Sequence, residues 1–171
     1  MKRVVLIVMA FFFGVTNVVA QQSDSVNFEN LNARIDSLQT KLDKLQANYD
    51  YLSCENKINR VRFELLDKYH EIKISANNLQ IEYYHNGFNE DSYILHKKYY
   101  DSIFSSVNQY RLNVEFIKAS VLVETMLPKF SDAENQYLKF LCNNLDVYMQ
   151  AVEDVLNAYK SILDIYKSKS R

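Results

Sequence analysis

The sequence predicts an all-α protein, an antiparallel bundle of three long helices with an N-terminal coiled-coil arm continuous with the first helix. Three observations lead to this fold class. Apolar residues recur at alternating spacings of three and four, the period of helices that pack on other helices. The chain has only two glycines and one proline, so few positions interrupt a helix. Stop and start signals stand at Gly87, Pro128 and Ser131.

Residues 1–20 have the pattern of an export signal peptide. Lys2 and Arg3 precede the apolar run Val4–Val15, and Ala20 supplies the small residue before the expected cleavage site. The run is shorter than the roughly 20 residues that cross a hydrocarbon core of ~30 Å. We therefore expect a periplasmic or secreted protein with no integral membrane span after cleavage. The alternative left open is an uncleaved signal that anchors the chain in the inner membrane.

The charge balance argues against two classes of partner. Without residues 1–20 the chain has 18 Lys and Arg against 21 Asp and Glu. Binding to nucleic acid, or adsorption to anionic lipid, requires clustered positive charge. We therefore expect no nucleic-acid partner.

The two cysteines, Cys54 and Cys142, form the candidate disulfide. An exported chain with a small, even number of cysteines commonly bridges them. The alternative is two separately buried thiols that behave as small hydrophobic side chains.

The N-terminal arm, expected over residues 21–53, has an unbroken heptad seam. Its a and d positions are Phe28, Leu31, Ile35, Leu38, Leu42, Leu45, Tyr49 and Leu52. So narrow an apolar stripe needs another helix to cover it. The g positions Arg34 and Lys41 would face neutral e positions in a parallel homodimer, so attraction between opposite charges does not select an orientation. We expect a protein partner or a second copy to bind here; an arm that folds back on the bundle is the alternative.

The bundle is expected over residues 54–171, and its first helix continues from the arm. The apolar stripe changes phase near Cys54, which is compatible with one long helix from about residue 24 to residue 85 or with a break at Ser53. Asn86-Gly87-Phe88 fits a helix stop in which Gly87 adopts the left-handed conformation. We favour the single long helix.

Two further helices complete the predicted bundle. The second runs from residue 91 or 92 to Leu127 and ends at Pro128, since the residue before proline avoids helical geometry. The third begins with the capping box Ser131–Glu134 and continues to about Lys169. Its apolar face is three positions wide in each heptad, as in a helix that packs on two neighbours.

No catalytic, cofactor-binding or metal-binding motif is recognisable. Two Asp/Glu-x-x-His pairs, at residues 67–70 and 82–85, lie ~22 Å apart on one helix and cannot share a metal. His96 lies at a stripe position close to the turn, where we expect a solvated or hydrogen-bonded histidine near the end of the bundle; the alternative is a histidine that meets His85 and titrates as a switch. Aromatic residues gather near Gly87, where they fill the end of the bundle or form a platform for a sugar or peptide: Tyr83, Tyr84, Phe88, Tyr93, Tyr99 and Tyr100.

These features predict a non-catalytic exported protein that acts by coiled-coil or helix–helix association in the cell envelope, as a scaffold, spacer or subunit. The alternative is a periplasmic binding module or holdase chaperone that grips a client or a small ligand. Known trimeric periplasmic holdases also have long helical arms, but they rely on a basic client-steering surface that this net-acidic chain lacks.

Overall fold

The computed structural model describes residues 25–168, and these residues form three helices that pack against each other. They are α1 (Ser25–Asn86), α2 (Glu90–Thr125) and α3 (Asp132–Ser168). The described residues contain no β-strand, so the all-α prediction is confirmed. The signal peptide expected at residues 1–20 lies outside the described part of the chain.

The chain divides into two compact units between Leu45 and Gln46. The described part of the first unit is a stretch of α1, and the second unit contains the rest of α1 together with α2 and α3. Between residues 25 and 168 no helix is long and apolar enough to cross a bilayer.

Helix α1 is a single helix of 62 residues, so the interpretation with a break at Ser53 is wrong. It ends where the sequence predicts. Gly87 has a φ of 72°, and its amide donates a hydrogen bond of 2.9 Å to the carbonyl of Tyr83. This is the left-handed cap that glycine adopts without the steric cost that a Cβ would add.

Helix α2 begins slightly earlier than predicted and ends two residues earlier. The side-chain oxygen of Asn89 accepts a hydrogen bond of 3.0 Å from the amide of Ser92, so Asn89 is the N-cap. At the other end the last helical residue is Thr125. The hydroxyl of Thr125 donates to the carbonyl of Leu122 at 2.8 Å, which satisfies one of the carbonyls left open at the helix end.

The capping box at the start of α3 is confirmed. The hydroxyl of Ser131 accepts a hydrogen bond from the amide of Glu134 at 3.3 Å, and the carboxylate of Glu134 accepts one from the amide of Ser131 at 2.8 Å. The Glu134 carboxylate also accepts a hydrogen bond of 2.7 Å from the Ser131 hydroxyl, and this bond, together with the one from the Ser131 amide, lowers the pKa of Glu134 below its usual value. The α2–α3 connection also contains Phe130, which is buried and packs edge-on against Tyr51 of α1.

The core of the second unit is built from one heptad stripe of each helix. It contains no buried polar or charged residue in the described part of the chain. From α1 come Cys54, Ile58, Val61, Leu65, Ile72, Ala76 and Leu79; from α2, Tyr100, Ile103, Val107, Val114, Ile117 and Val121; and from α3, Leu138, Leu141, Cys142, Leu145, Met149, Val152, Leu156, Tyr159, Leu163 and Tyr166. The wide face of α3 therefore contacts two neighbours.

The candidate disulfide is not formed, which corrects the expectation for Cys54 and Cys142. Both thiols are free and buried in the apolar core. Burial raises the pKa of Cys54, and it raises the pKa of Cys142 to about 11. Because the thiolate is the reactive form, both cysteines behave as small hydrophobic side chains.

Candidate functional site: apolar surfaces on α1 and α2

The heptad seam of α1 is exposed along the first unit. Leu38 has 64% and Leu45 has 65% of their surface open to solvent, and Phe28, Ile35 and Leu42 are exposed as well. Leu31 is half-buried. Isolated surface leucines are common, but a row of them at coiled-coil spacing marks a surface that another helix can cover.

Within the second unit, the continuation of the seam lies on a different side of α1 from the bundle core. Tyr49, Leu52 and Phe63 are exposed, whereas Cys54 and Ile58 are buried. Leu52 and Cys54 are two residues apart, about 200° around the helix, so they point in nearly opposite directions. The phase change seen in the sequence is therefore a change from one apolar face to another.

The seam is flanked by glutamines that are held by aspartates of the same helix. The side-chain amide of Gln39 donates to the carboxylate of Asp43 at 2.8 Å, and that of Gln46 donates to Asp50 at 2.9 Å. Both glutamines occupy e positions next to the seam. The hydrogen bond that each side-chain nitrogen donates fixes the orientation of the carboxamide group, and therefore of its carbonyl oxygen.

Asp50 also anchors the α2–α3 connection. Its carboxylate accepts a hydrogen bond of 2.8 Å from the ammonium group of Lys129, which itself binds Glu124. Lys129 thereby lowers the pKa of Asp50. This contact fixes the connection to α1 close to the exposed residue Tyr49.

A second exposed apolar surface lies on α2, and it was not predicted from the sequence. Its members occupy one side of the C-terminal half of α2 and the start of the connection: Leu112, Phe116, Leu122, Val123, Met126 and Leu127. Beside it, a groove of about 320 Å³ lies between α2 and α3. The signal was present in the spacing of Leu112, Phe116 and Val123, but α2 has two apolar stripes, and spacing does not show which of them is buried.

The aromatic residues around Gly87 fill the end of the bundle. The ring of Tyr166 from α3 lies 5.1 Å from that of Phe88, 5.5 Å from Tyr83 and 6.4 Å from Tyr93. The amide of Asn89 donates a hydrogen bond of 3.0 Å to the Tyr166 hydroxyl. Tyr166 packs edge-on against Tyr83, tilted against Phe88 and stacked against Tyr93, so the arrangement is that of a packed cap, with Tyr84 left exposed.

His96 is a hydrogen-bonded histidine near the end of the bundle, as expected, and its partner is Tyr159 of α3, not His85. The Nδ1 atom of His96 and the Tyr159 hydroxyl share a hydrogen bond of 2.6 Å. Burial lowers the pKa of His96, and the nearby carboxylate of Glu82 opposes this shift. Burial also raises the pKa of Tyr159, so both side chains are neutral near pH 7. His85 is exposed.

Between residues 25 and 168 no three histidine, cysteine or acidic side chains are grouped so that they could hold a metal ion. This chain matches no protein-family model. It is not significantly similar to any characterised protein or solved structure in the comparisons. The apolar surfaces of α1 and α2 are thus the features from which a function is inferred.

Proposed function

We propose that this is a non-catalytic exported protein that acts in the cell envelope by helix–helix association through the seam of α1, with the arm as its binding element. The supporting observation is that seven of the eight seam residues are exposed. A helix gains most of its stability in proteins by burying one face. An uncovered coiled-coil seam is therefore the surface at which association would gain most.

The proposal includes an antiparallel arrangement of the bundle helices. Contacts between α2 and α3 support it, because the residue numbers fall on α3 as they rise on α2. His96 binds Tyr159, Arg111 binds Glu153, and Lys118 binds both carboxylate oxygens of Asp146 at 2.8 Å. In this role the bundle is the folded body that carries the arm.

The proposal is tested with matched surface variants in the native host. Leu38→Asp/Leu45→Asp places charges in the seam, whereas Leu95→Asp replaces a leucine of α2 that is 68% exposed, close to the 64% and 65% of the two seam leucines. After cross-linking in cells, we expect the wild type and Leu95→Asp to give the same cross-linked species and the seam variant to lose it. The same species from all three proteins, each folded by circular dichroism, would overturn the proposal.

The second candidate is a holdase or client-binding module, and the apolar surface of α2 favours it. Leu112 is 62% exposed and Phe116 is 72% exposed, on a folded bundle whose own core is complete. Large exposed apolar patches bind proteins or unfolded segments. This role does not require the seam of α1.

An aggregation-suppression assay with an unfolded outer-membrane protein separates the two candidates. If the α2 surface binds clients, the wild type and Leu38→Asp/Leu45→Asp suppress aggregation equally, and Leu112→Asp/Phe116→Asp does not. Absence of protection by the wild-type protein at molar excess removes the holdase role and leaves the first proposal unaffected.

A further inference from the structure

We infer that the partner of the α1 seam is a second copy of this chain, bound as a parallel, in-register, two-stranded coiled coil from Phe28 to Phe63. The inference rests on the proposed function and adds the identity of the partner, its orientation and its register. Three features of the described residues support it: the charges beside the seam, the hydrogen bonds of the flanking glutamines, and the residue types at the a and d positions.

The charges beside the seam disfavour antiparallel pairing of two copies. In an antiparallel pair, g positions face g positions of the other helix, and alignment of Phe28 with Leu52 brings Lys41 opposite Lys41 of the other copy. Like charges placed opposite each other destabilise a pair. In a parallel pair, Arg34 faces Gln39 and Lys41 faces Gln46, so no like charges meet.

The flanking glutamines are oriented to receive those cations. Gln39 donates its amide hydrogen to Asp43 at 2.8 Å, which leaves its carbonyl oxygen to accept a bond from Arg34 of the other helix. Gln46 and Asp50 offer the same arrangement to Lys41. In the dimer, each basic side chain of one helix would thus bind a glutamine of the other helix, and that glutamine binds an aspartate. This chain of hydrogen bonds provides electrostatic complementarity although no acidic residue stands at the facing e positions.

The a and d positions fit two parallel strands. Leucine occupies the d positions 31, 38, 45 and 52, and Asn59 occupies the last d position before Phe63. The a positions from 28 to 49 are Phe28, Ile35, Leu42 and Tyr49, of which Ile35 is β-branched. Leucine at d with β-branched residues at a favours a parallel dimer, and a single asparagine at a fixes register and strand number. Seven residues after Tyr49, the next a position of the seam is Asn56, which is exposed. Asn59 follows at the d position, and the a position after it is the exposed Phe63.

Sedimentation equilibrium and cysteine cross-linking test the inference on the full-length protein. We expect the wild type to sediment as a dimer, with about twice the monomer mass of 20.1 kDa, and Leu38→Asp/Leu45→Asp to sediment as a monomer. Oxidised Leu31→Cys and Leu52→Cys should each form a covalent dimer, because equivalent residues face each other only in the parallel pair. The wild type is the control, since its two cysteines are buried.

Two results would overturn the inference. One is a wild-type protein that stays monomeric at all concentrations. The in-cell cross-linking of the seam variant would then still show whether a different protein binds the seam. The proposed function can therefore hold even if this inference fails. The other is a covalent dimer that forms only when Leu31→Cys is mixed with Tyr49→Cys, because those two positions face each other in the antiparallel pair.

Discussion

Residues 28–52 of α1 and residues 138–166 of α3 have the same alternation of apolar spacings, yet their burial is opposite. Leu45 is 65% exposed, whereas Leu145 is fully buried. Tyr49 is 69% exposed, whereas Tyr159 is fully buried. The difference lies in the width of the stripe, since α3 adds Cys142, Met149, Leu156 and Leu163 beside its heptad positions.

The comparison teaches that heptad spacing predicts a covered helix but does not identify what covers it. A three-residue-wide face needs two neighbours, and α3 finds them within its own chain. A two-residue-wide seam needs a single partner helix. The following predictions test this division, beginning with the largest effect.

The leucine pair should show the largest contrast. Leu145→Ala removes a fully buried side chain and is expected to lower the free energy of unfolding of the bundle by about 2–5 kcal/mol, through lost burial and the cavity left behind. Leu45→Ala, at 65% exposure, should change it by less than about 0.5 kcal/mol in dilute solution. Urea denaturation measures both, and equal losses would show that the seam is already covered within the monomer.

The tyrosine pair should show an intermediate contrast. Tyr159→Phe deletes the hydroxyl that binds Nδ1 of the half-buried His96 at 2.6 Å, and the lost hydrogen bond should cost about 1–1.5 kcal/mol. Tyr49→Phe, on the exposed seam, should be close to neutral in the monomer. Thermal unfolding reports both variants, and a neutral Tyr159→Phe would show that water replaces the hydroxyl.

The end of α1 should show a smaller effect. Gly87→Ala places a Cβ at a φ of 72°, and no atom lies within 4 Å of that Cβ, so the cost arises from the backbone alone. We expect a loss of about 1 kcal/mol in the free energy of unfolding. Gly87→Asn should lose less, since asparagine tolerates the left-handed region. If Gly87→Asn loses as much stability as Gly87→Ala, the loss arises from the adjoining loop and not from the left-handed backbone conformation of residue 87.

The smallest effect is expected from pH. Burial lowers the pKa of His96 in the folded state below the value of 6.5 of a free histidine, so the unfolded chain binds more protons at mildly acidic pH. The stability contributed by neutral His96 is therefore complete above pH 6.5 and is lost as the pH falls below that value. The free energy of unfolding, measured from pH 7.5 to 5, should decline.

Two histidine variants, one at the half-buried position and one at an exposed position, test the origin of this pH dependence. His96→Gln should flatten the decline, and His85→Gln, at an exposed position, should retain it. An unchanged decline in His96→Gln would assign the pH dependence to another group. Residues 28–52 contain no histidine, so this acid sensitivity belongs to the bundle.

Much of the fold could be predicted because helix signals are local. The glycine stop at Gly87, the capping box at Ser131 and the uninterrupted α1 all follow from residues close together in the sequence. The pairing of His96 with Tyr159 could not be predicted, since it depends on how α2 and α3 are aligned along their length. The free thiols of Cys54 and Cys142 likewise depend on which helix faces they occupy.

The candidate site was predictable only in part, for a related reason. The seam of α1 stands out because polar residues surround it. The surface formed by Leu112, Phe116 and Val123 does not stand out, because the other side of α2 has an equally regular stripe that fills the core. A single sequence does not rank two apolar stripes on one helix; only the packed neighbours reveal which of them is left exposed.

Amide hydrogen exchange of residues 28–52 in the full-length protein tests most directly whether another helix covers the seam. With increasing protein concentration, these amides should become protected in the wild type and stay fast in Leu38→Asp/Leu45→Asp, while amides of α3 stay slow in both. Exchange over residues 28–52 that is equally fast in both proteins at every concentration would contradict self-association through this seam.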